Sequence, residues 1–406
     1  MTTTVLPPAS RSTTRHGAGF WVIAFAFVVM MAFSAVPTPL YALYQQRDGY
    51  PTFLVTVIFA AYAIGVMASL YFAGHVSDWL GRRRVILAAV LVNILAAVIF
   101  LLFPEVGGLI AARFVNGIAI GALTATATAH LSELRAVSRP LESPARAGIL
   151  SGLANIGGIA LGPLIGGVLA QFAPEPLRLP FEVFLVLLVL SGIGVAFVPE
   201  TVERAEKRRA YRPQRVSLPS GSGPIFFAAS AGVFSAFAVF GLFMALSPTF
   251  LAGVFNEPSR LAAGLVPFAV FGSGALSQVV FAALALRRQL TLSLVLMIAG
   301  LVLMTVSVLI AVLPLFVVSG IVAGAGVGLQ FKASVGVAAS LATPASRGEV
   351  LAAIFLVAYT GLAVPVLLVG LALALLPGTA VLVGFAFVVV ALVVLSTPRM
   401  IRALKS

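Results

Sequence analysis

A short polar segment, GHVSDWLGRRRV at residues 74–85, lies between two long apolar runs and holds residue types that suit an electrostatic contact. Asp78 supplies an anion, which the free N–H groups and the dipole of a helix N-terminus would bind. Glycines allow tight turns and close approach of a second backbone. Membrane topology alone would explain the arginines, but not the carboxylate and the spaced glycines. We therefore predict an electrostatic contact in which the arginines bind Asp78, Glu133 or anionic lipid. Its residues are Gly74, Asp78, Gly81, Arg82, Arg83, Arg84 and Glu133.

A second candidate group surrounds an arginine inside an apolar run, ARFVNGIAIGALTATATAH. An arginine in hydrocarbon costs from about 3 to more than 10 kcal/mol, so Arg113 must face a cavity, a partner or water. At the angular step of a helix, Arg113 shares a face of polar and small residues with Asn116 and Gly117. This face would line a water-filled cleft. Alternatively, Arg113 lies near the membrane interface and its side chain reaches water.

Further polar and aromatic side chains lie within apolar runs. Lys332 is a second cation, and its spacing from His130 equals the spacing of Pro365 from Pro163, which indicates two related halves. Lys332 either binds a ligand or extends to water. Tyr41 either lines a cavity or belongs to the aromatic belt at the interface. The candidate cavity or coupling residues are Phe33, Thr38, Tyr41, Arg113, Asn116, Gly117, His130, Asn155, Gln330, Lys332 and Tyr359.

The segment GIALGPLIGG, residues 158–167, combines regularly spaced glycines with a proline. Glycines four residues apart make a flat helix face that permits close packing. Pro163 removes a backbone hydrogen bond and allows a bend. A packing seam of small residues, common in membrane bundles, is the simpler interpretation. The residues concerned are Gly158, Gly162, Pro163, Gly166 and Gly167.

The elements that position these residues must be membrane helices. Of the 406 residues, 61% are hydrophobic and only 9% charged, whereas soluble domains carry about 25% charged residues. A bilayer core takes about 20 helical residues, and backbone groups in lipid must be paired internally. The sequence thus predicts an all-α polytopic membrane protein. We expect its twelve spans at about 19–44, 52–73, 84–103, 108–131, 147–171, 180–199, 224–247, 259–285, 290–311, 315–340, 349–374 and 379–397.

Basic residues indicate the orientation. Lysines and arginines crowd one set of alternate links, and the opposite set holds only Arg47, Arg178 and Arg260. Since cytoplasmic links carry the basic excess, we expect both termini in the cytoplasm and the chain in the plasma membrane. The net charge of +13 is then a surface property and no sign of nucleic-acid binding. The expected divisions are a tail at 1–18, six spans at 19–199, a linker at 200–223, six spans at 224–397 and a tail at 398–406.

Three motifs give the chain a family resemblance. Residues 74–84 resemble the segment between spans 2 and 3 of the major facilitator superfamily, although Trp79 stands where a basic residue is usual. Arg113 and Gly117 match the R-x-x-x-G pattern of its fourth span, and residues 158–167 resemble the fifth span of its drug:proton antiporter branch. The resemblance implies two pseudo-symmetric six-helix bundles that rock about a central cleft. It also implies that this segment is a latch, in which Asp78 closes the cytoplasmic side by binding span 11.

The same resemblance implies a secondary transporter, and no enzyme, that exports small amphipathic compounds by proton antiport. Its partners would be a small-molecule substrate, a proton and the lipid bilayer, and we expect a monomer without cofactor or metal. No acid falls in mid-span, which leaves His130, Glu133 and Asp78 as hypotheses for the proton site. The missing acid favours neutral or anionic solutes. The missing acid is also compatible with a second function, the uptake or exchange of a polar metabolite such as a sugar or organic acid. A third class, a membrane enzyme or sensor, would need a catalytic pair or an appended soluble domain, and neither is visible in the sequence.

Overall fold

The computed structural model describes residues 9–73, 76–202, 221–343 and 346–404. Every regular element in these ranges is helical. Gly74 and most of the predicted linker lie outside the described residues, as does the side chain of Asp78. The α-helices are α1 (Ala9–Ala35), α2 (Tyr41–Asp48), α3 (Thr52–Ala73), α4 (Ser77–Leu80), α5 (Arg82–Leu102), α6 (Val106–Ser138), α7 (Pro144–Gly152), α8 (Gly158–Phe172), α9 (Leu179–Ala196), α10 (Gly223–Val254), α11 (Arg260–Val280), α12 (Leu286–Leu309), α13 (Leu313–Ser340), α14 (Arg347–Ala372) and α15 (Gly378–Ala403).

Twelve segments of the described chain are long and apolar enough to cross a membrane, which confirms the predicted fold class. Two of these spans combine shorter helices. The first joins α1 to α2 through a 3₁₀ turn at Thr38–Leu40, because Pro37 and Pro39 cannot donate the backbone hydrogen bonds of a continuous helix. The fifth joins α7 to α8 through a π-helical turn at Leu153–Gly157. Both interruptions lie beside the cavity described below.

Several helices extend beyond the apolar runs. Helix α1 already begins at Ala9, within the segment predicted as a tail at 1–18. Helix α6 continues to Ser138 and α10 to Val254, about two turns past their predicted ends. An apolar core that is already helical lets polar turns propagate into water at little cost. Hydrophobicity therefore located the spans but not their ends.

Helices pack in the same pairwise order in the two halves. Helix α1 lies against α6, α8 and α9, and α10 lies correspondingly against α13, α14 and α15. Across the halves, α8 packs on α11 and α3 packs on α14. Because the number of spans is even, the first described span begins and the last one ends on the same side of the bundle, called here the terminal side; the other is the distal side.

The two halves touch closely on the distal side. A Cβ atom at Gly167 would lie 3.0 Å from the Cα of Gly264, and one at Gly370 would lie 2.5 Å from Cγ2 of Thr56. Arg260 extends this seam by donating from Nη1 to the Ala170 carbonyl at 2.9 Å. On the terminal side, a cavity of about 290 Å³ lies between α7 of the first half and α11 of the second. The halves thus pack closely on the distal side and part towards the terminal side.

Candidate functional site

A central cavity of about 90 Å³ lies between the two halves at the middle of the spans. Helices of both halves form its wall, so a bound molecule would touch both bundles at once. Aromatic side chains dominate this wall. The residues that line the cavity are Ser34, Ala35, Phe59, Tyr62, Arg113, Thr124, Asn155, Ile156, Ile159, Phe237, Phe240, Met244, Phe271, Phe331, Phe355, Tyr359 and Leu362.

The second half contributes an aromatic wall. Phe240 of α10 stacks on Phe271 of α11, with ring centroids 4.0 Å apart. Phe237 meets Phe331 at 5.2 Å and Tyr359 at 5.6 Å in tilted and edge-on contacts. Such contacts between rings fix their orientation beyond what burial alone would do. The result is a continuous aromatic surface that could hold a planar or apolar group.

The first half contributes the charge, from Arg113 of α6. This side chain is only 2% exposed, and its guanidinium lies over the rings of Tyr62 at 4.4 Å and Phe59 at 5.6 Å. Nη1 donates to the Ser34 carbonyl at 2.5 Å. That carbonyl belongs to the last turn of α1, where orphan acceptors are expected. The break at the two prolines thereby supplies the acceptor for the buried arginine.

The charge of Arg113 is not balanced by a carboxylate in the cavity. None of the acidic side chains that the structure describes lines it. The Nε atom of Arg113 is buried and has no hydrogen-bond partner within the described part of the chain. Aromatic faces attract a cation through their quadrupoles but carry no net charge. The cavity is therefore an apolar space with one positive corner.

Asn155 reaches the cavity through the π-helical turn that joins α7 to α8. A π turn inserts an extra residue per turn and shifts the side chains that follow it; such turns are frequent at functional sites. Ile156 and Ile159 line the cavity beside it. Of the eleven predicted cavity residues, the structure thus brings together Arg113, Asn155 and Tyr359. The phenol of Tyr359 interacts with that of Tyr62 across the two halves.

The other predicted residues of the first half lie behind the wall. Phe33 packs on Phe100 and Phe184, each at 6.1 Å between ring centroids. Thr38 donates to Sδ of Met244 in the other half at 3.0 Å. The hydroxyl of Tyr41 is buried, with no acceptor among the residues described.

Two more of these residues organise α6. Asn116 donates to Asn93 of α5 at 2.8 Å. A side chain at Gly117 would overlap the carbonyl of Tyr62, so this glycine brings α3 against α6 and holds Tyr62 near Arg113. Both residues therefore support the cavity from outside its lining.

The predicted residues nearer the terminal side also lie outside the cavity. Gln330 accepts from Ser293 at 2.6 Å and donates to Thr397 at 3.2 Å within the second half. Lys332 donates to the Gln278 carbonyl at 2.9 Å and lines a separate cavity between α7 and α11. His130 is buried, with Nε2 3.2 Å from the Pro199 carbonyl.

At the terminal side, Glu200 organises the predicted latch region, a role that the sequence analysis missed. Its carboxylate accepts from the backbone N–H groups of Arg82 at 2.9 Å and Arg83 at 3.2 Å, at the start of α5. Gly81 has φ +99°, and a Cβ atom there would lie 2.5 Å from Oε2 of Glu200. Arg82 also pairs with Glu133 at 3.3 Å, whereas Arg84 is exposed.

The glycines of residues 158–167 divide between two seams. Side chains at Gly158 and Gly162 would collide with α1 at Met31 and Ala32, and one at Gly166 would collide with Val36 directly after α1. Gly167 instead faces Gly264, and the Pro163 carbonyl meets the same glycine across the two halves. The segment therefore packs α8 on α1 and closes the distal side together with α11.

The aromatic wall was also missed. Phe237 and Phe240 stand three residues apart on α10, and Phe331 and Phe355 come from two further helices. The local spacing offered a weak signal, because phenylalanines facing lipid show the same helical spacing. Only the packing of four helices separates the cavity rings from those that face lipid.

Comparison with known proteins identifies the family to which this architecture belongs. Residues 22–364 match the Major Facilitator Superfamily. The probable metabolite transport protein CsbC of Bacillus subtilis (strain 168) is 28% identical over 38% of this chain and 33% of its own length. The multidrug transporter MdfA of Yersinia pestis (bv. Antiqua, strain Angola) is 29% identical over 44% of this chain and 42% of its own. The chain thus spans about a third to two-fifths of the length of these relatives.

A solved structure extends the likeness to the whole fold. The nucleoside transporter NupG, in a D323A variant, superposes with a TM-score of 0.72 and covers 94% of this chain and 99% of its own. At 11% sequence identity, this similarity concerns the fold alone.

Proposed function

The chain belongs to the major facilitator superfamily, and from this membership we propose that it is a secondary active transporter that exports small amphipathic compounds by proton antiport. The observation that carries the proposal is the central cavity, which both halves line with aromatic rings and a single cation. A cavity of this composition suits a molecule with an apolar body and a neutral or anionic polar group. Membership also indicates a transporter rather than an enzyme, as the sequence predicted.

Alternating access would follow from the two seams between the halves. The excess of basic residues in one set of links favours a cytoplasmic position for the terminal side and both termini. The distal contacts of Gly167 with Gly264 and of Arg260 with Ala170 would then close the outer side of the plasma membrane. In this orientation the described state would face inwards and would load substrate from the cytoplasm. Export requires these contacts to part while Asp78 and the arginines near it close the terminal side.

The proton site is proposed at the terminal end of α6. Glu133 pairs with Arg82 and accepts from the hydroxyl of Thr201, and His130 lies one helical turn before it. The Nδ1 atom of His130 is buried and has no partner in the described ranges. Protonation of Glu133 would release Arg82, which couples proton uptake to the latch. Asp78 remains a third proposed proton site.

Uptake or facilitated exchange of a polar metabolite is the second candidate function. The absence of any described carboxylate from the cavity favours it, since proton coupling usually needs a titratable group along the pathway. The relatives include both kinds of transporter: MdfA is a multidrug transporter, whereas CsbC is a probable metabolite transport protein. The apolar lining favours export, because a sugar would leave most of its hydroxyls unpaired there.

The test uses purified protein in liposomes that enclose a pH-sensitive dye. With a proton gradient imposed, amphipathic compounds and simple metabolites are added one at a time. We expect amphipathic compounds to cause a flow of protons down the gradient. Glu133→Gln, His130→Gln and Asp78→Asn are then compared, and the variant that abolishes this proton flux identifies the coupling group. Glu182→Gln, which removes a partly exposed distal carboxylate, is the control. Transport of any compound without proton movement would contradict antiport and support facilitated exchange.

A further inference from the structure

We propose that the cavity selects organic monoanions that carry an aromatic ring, and that Arg113 is the residue that binds the anionic group. This inference rests on the proposed function and narrows its substrate class. It depends on the free atoms of one buried guanidinium, on the charge of the surrounding wall and on the size of the cavity.

The guanidinium of Arg113 has donors to spare. An arginine carries five N–H donors, and the Ser34 carbonyl is the one acceptor that the described residues offer to Arg113. Its Nε atom is buried without a partner. A buried donor without an acceptor is costly, so the site is poised for an acceptor that arrives with a ligand. The planar fork of arginine matches carboxylate and sulfonate groups in two parallel hydrogen bonds.

The electrostatics favour one negative charge. Arg113 is already desolvated by the fold, since only 2% of it is exposed. The free-energy cost of dehydrating the cation therefore arises when the protein folds, and binding requires only the dehydration of the ligand. Within the described lining there is neither a carboxylate to compete for the cation nor a second cation to balance a dianion. Lys332 lines a different cavity and binds the Gln278 carbonyl.

The opposite wall favours a ring. The stacked pair Phe240 and Phe271 and the edge-on pair Phe237 and Tyr359 face the same space as Arg113. A planar aromatic group would bury its faces against them without any unpaired polar atom. The cavity of about 90 Å³ is smaller than the apolar cavity of about 150 Å³ that holds benzene, so one ring is the largest aromatic group that the site would take.

Benzenesulfonate and benzenesulfonamide are the probes for this proposal. The two have nearly the same shape, but only the sulfonate is charged at neutral pH, and its permanent charge prevents passive leakage. Binding to the purified full-length protein is measured by ligand-observed NMR titration. We expect benzenesulfonate to bind at least about tenfold more tightly than benzenesulfonamide, as a charge-assisted pair would give. Methanesulfonate, which lacks the ring, should bind at least about tenfold more weakly than benzenesulfonate.

The variants locate the anion site. Arg113→Gln should bring the affinities for the sulfonate and the sulfonamide to within about twofold of each other. Thermal unfolding in detergent shows independently that the variant is folded. Arg113→Lys should keep part of the preference, because it keeps the charge and loses the fork. The control Arg287→Gln removes an arginine that is exposed at the terminal side and should change neither affinity.

The outcomes separate this inference from the proposed function. Equal affinities for the two probes, or a preference that survives Arg113→Gln or disappears only in Lys332→Gln, would overturn the assignment of Arg113. If the proteoliposomes then still export neutral compounds, the proposed function stands without it. If the preference depends on Arg113 but neither probe crosses the membrane, the anion site stands and the proposed transport fails.

Discussion

The first six spans and the last six pack in the same order, but they carry different side-chain chemistry at equivalent positions. In the cavity, the first half provides the cation of Arg113, and the second half provides five phenylalanines and Tyr359. At the terminal surface, the carboxylate of Glu200 accepts from the N–H groups of Arg82 and Arg83 at the start of α5. At the start of α12, which holds the corresponding pair of arginines, the neutral amide of Gln289 instead donates to the Leu284 carbonyl at 2.8 Å.

The loops that follow the fourth and tenth spans repeat this contrast. Glu142 binds Arg135 and Arg146 in the first half. Thr343 and Ser346 bind each other in the second, with the Thr343 N–H donating to Oγ of Ser346 at 3.1 Å. Helix packing is therefore shared by the two halves, whereas charge is concentrated in one. A duplicated scaffold keeps its close backbone contacts and varies the polar groups attached to them.

The largest expected loss of stability comes from glycine substitutions at the close helix contacts, and it should be similar in both halves. Gly162→Val would push a side chain into the Ala32 carbonyl, and Gly361→Val would place its Cβ 2.5 Å from the Phe234 carbonyl. Since neither backbone can yield, each substitution should destabilise the protein by about 3 kcal/mol, the upper end of typical overpacking, and abolish transport. Thermal unfolding in detergent and proteoliposome flux measure the two effects.

The matched control is Gly148→Val, at a position where a Cβ atom meets no described atom within 4 Å. It should fold and transport as the wild type does. If Gly361→Val were harmless while Gly162→Val is severe, the two halves would not share one packing constraint, and the glycine motif of the first half would be special to it.

A smaller loss of stability should distinguish the start of α5 in the first half from the start of α12 in the second. Glu200→Gln removes the anionic acceptor of the Arg82 and Arg83 N–H groups and should lower stability by about 1 to 2 kcal/mol, as for the loss of a helix cap. Gly81→Ala should cost a similar amount, because its φ of +99° suits glycine and its Cβ would meet Glu200. Both are measured by thermal unfolding.

The counterpart in the second half is Gln289→Leu, which removes a neutral cap on two carbonyls. Its cost should not change with salt, whereas that of Glu200→Gln should fall as salt screens the charge. Equal salt dependence in the two variants would remove the electrostatic distinction between the surfaces.

The smallest expected effect concerns pH. Hydrogen bonds from Arg135 and Arg146 lower the pKa of Glu142 from its usual 4.5 to about 2. Because the folded-state pKa is depressed, the stabilisation by Glu142 is complete above pH 4.5 and is lost as pH falls towards about 2. The difference in unfolding temperature between the wild type and Glu142→Gln should shrink over that interval. Ser346→Ala, in the neutral loop of the other half, should give a difference that does not vary with pH.

The sequence by itself determined the class of fold and the number of spans. Twenty apolar residues without charge can only be helical in lipid, because their backbone groups have no other partner. It also determined which short segments carry unusual residues: the link with three arginines, the buried Arg113 and the glycines of residues 158–167. These signals are local, and hydrophobicity or spacing is enough to detect them.

Only the tertiary structure decided which of these residues meet. Arg113 joins the cavity while Lys332 does not, although both are cations within apolar runs. The acceptor of Arg113 is a carbonyl freed where α1 ends, and the partner of Arg82 and Arg83 is a carboxylate more than a hundred residues away along the chain. The aromatic wall comes from four separate helices. A helical period tells which residues share a face, but lipid, a neighbouring helix and a cavity all accept the same apolar face, and only packing chooses among them.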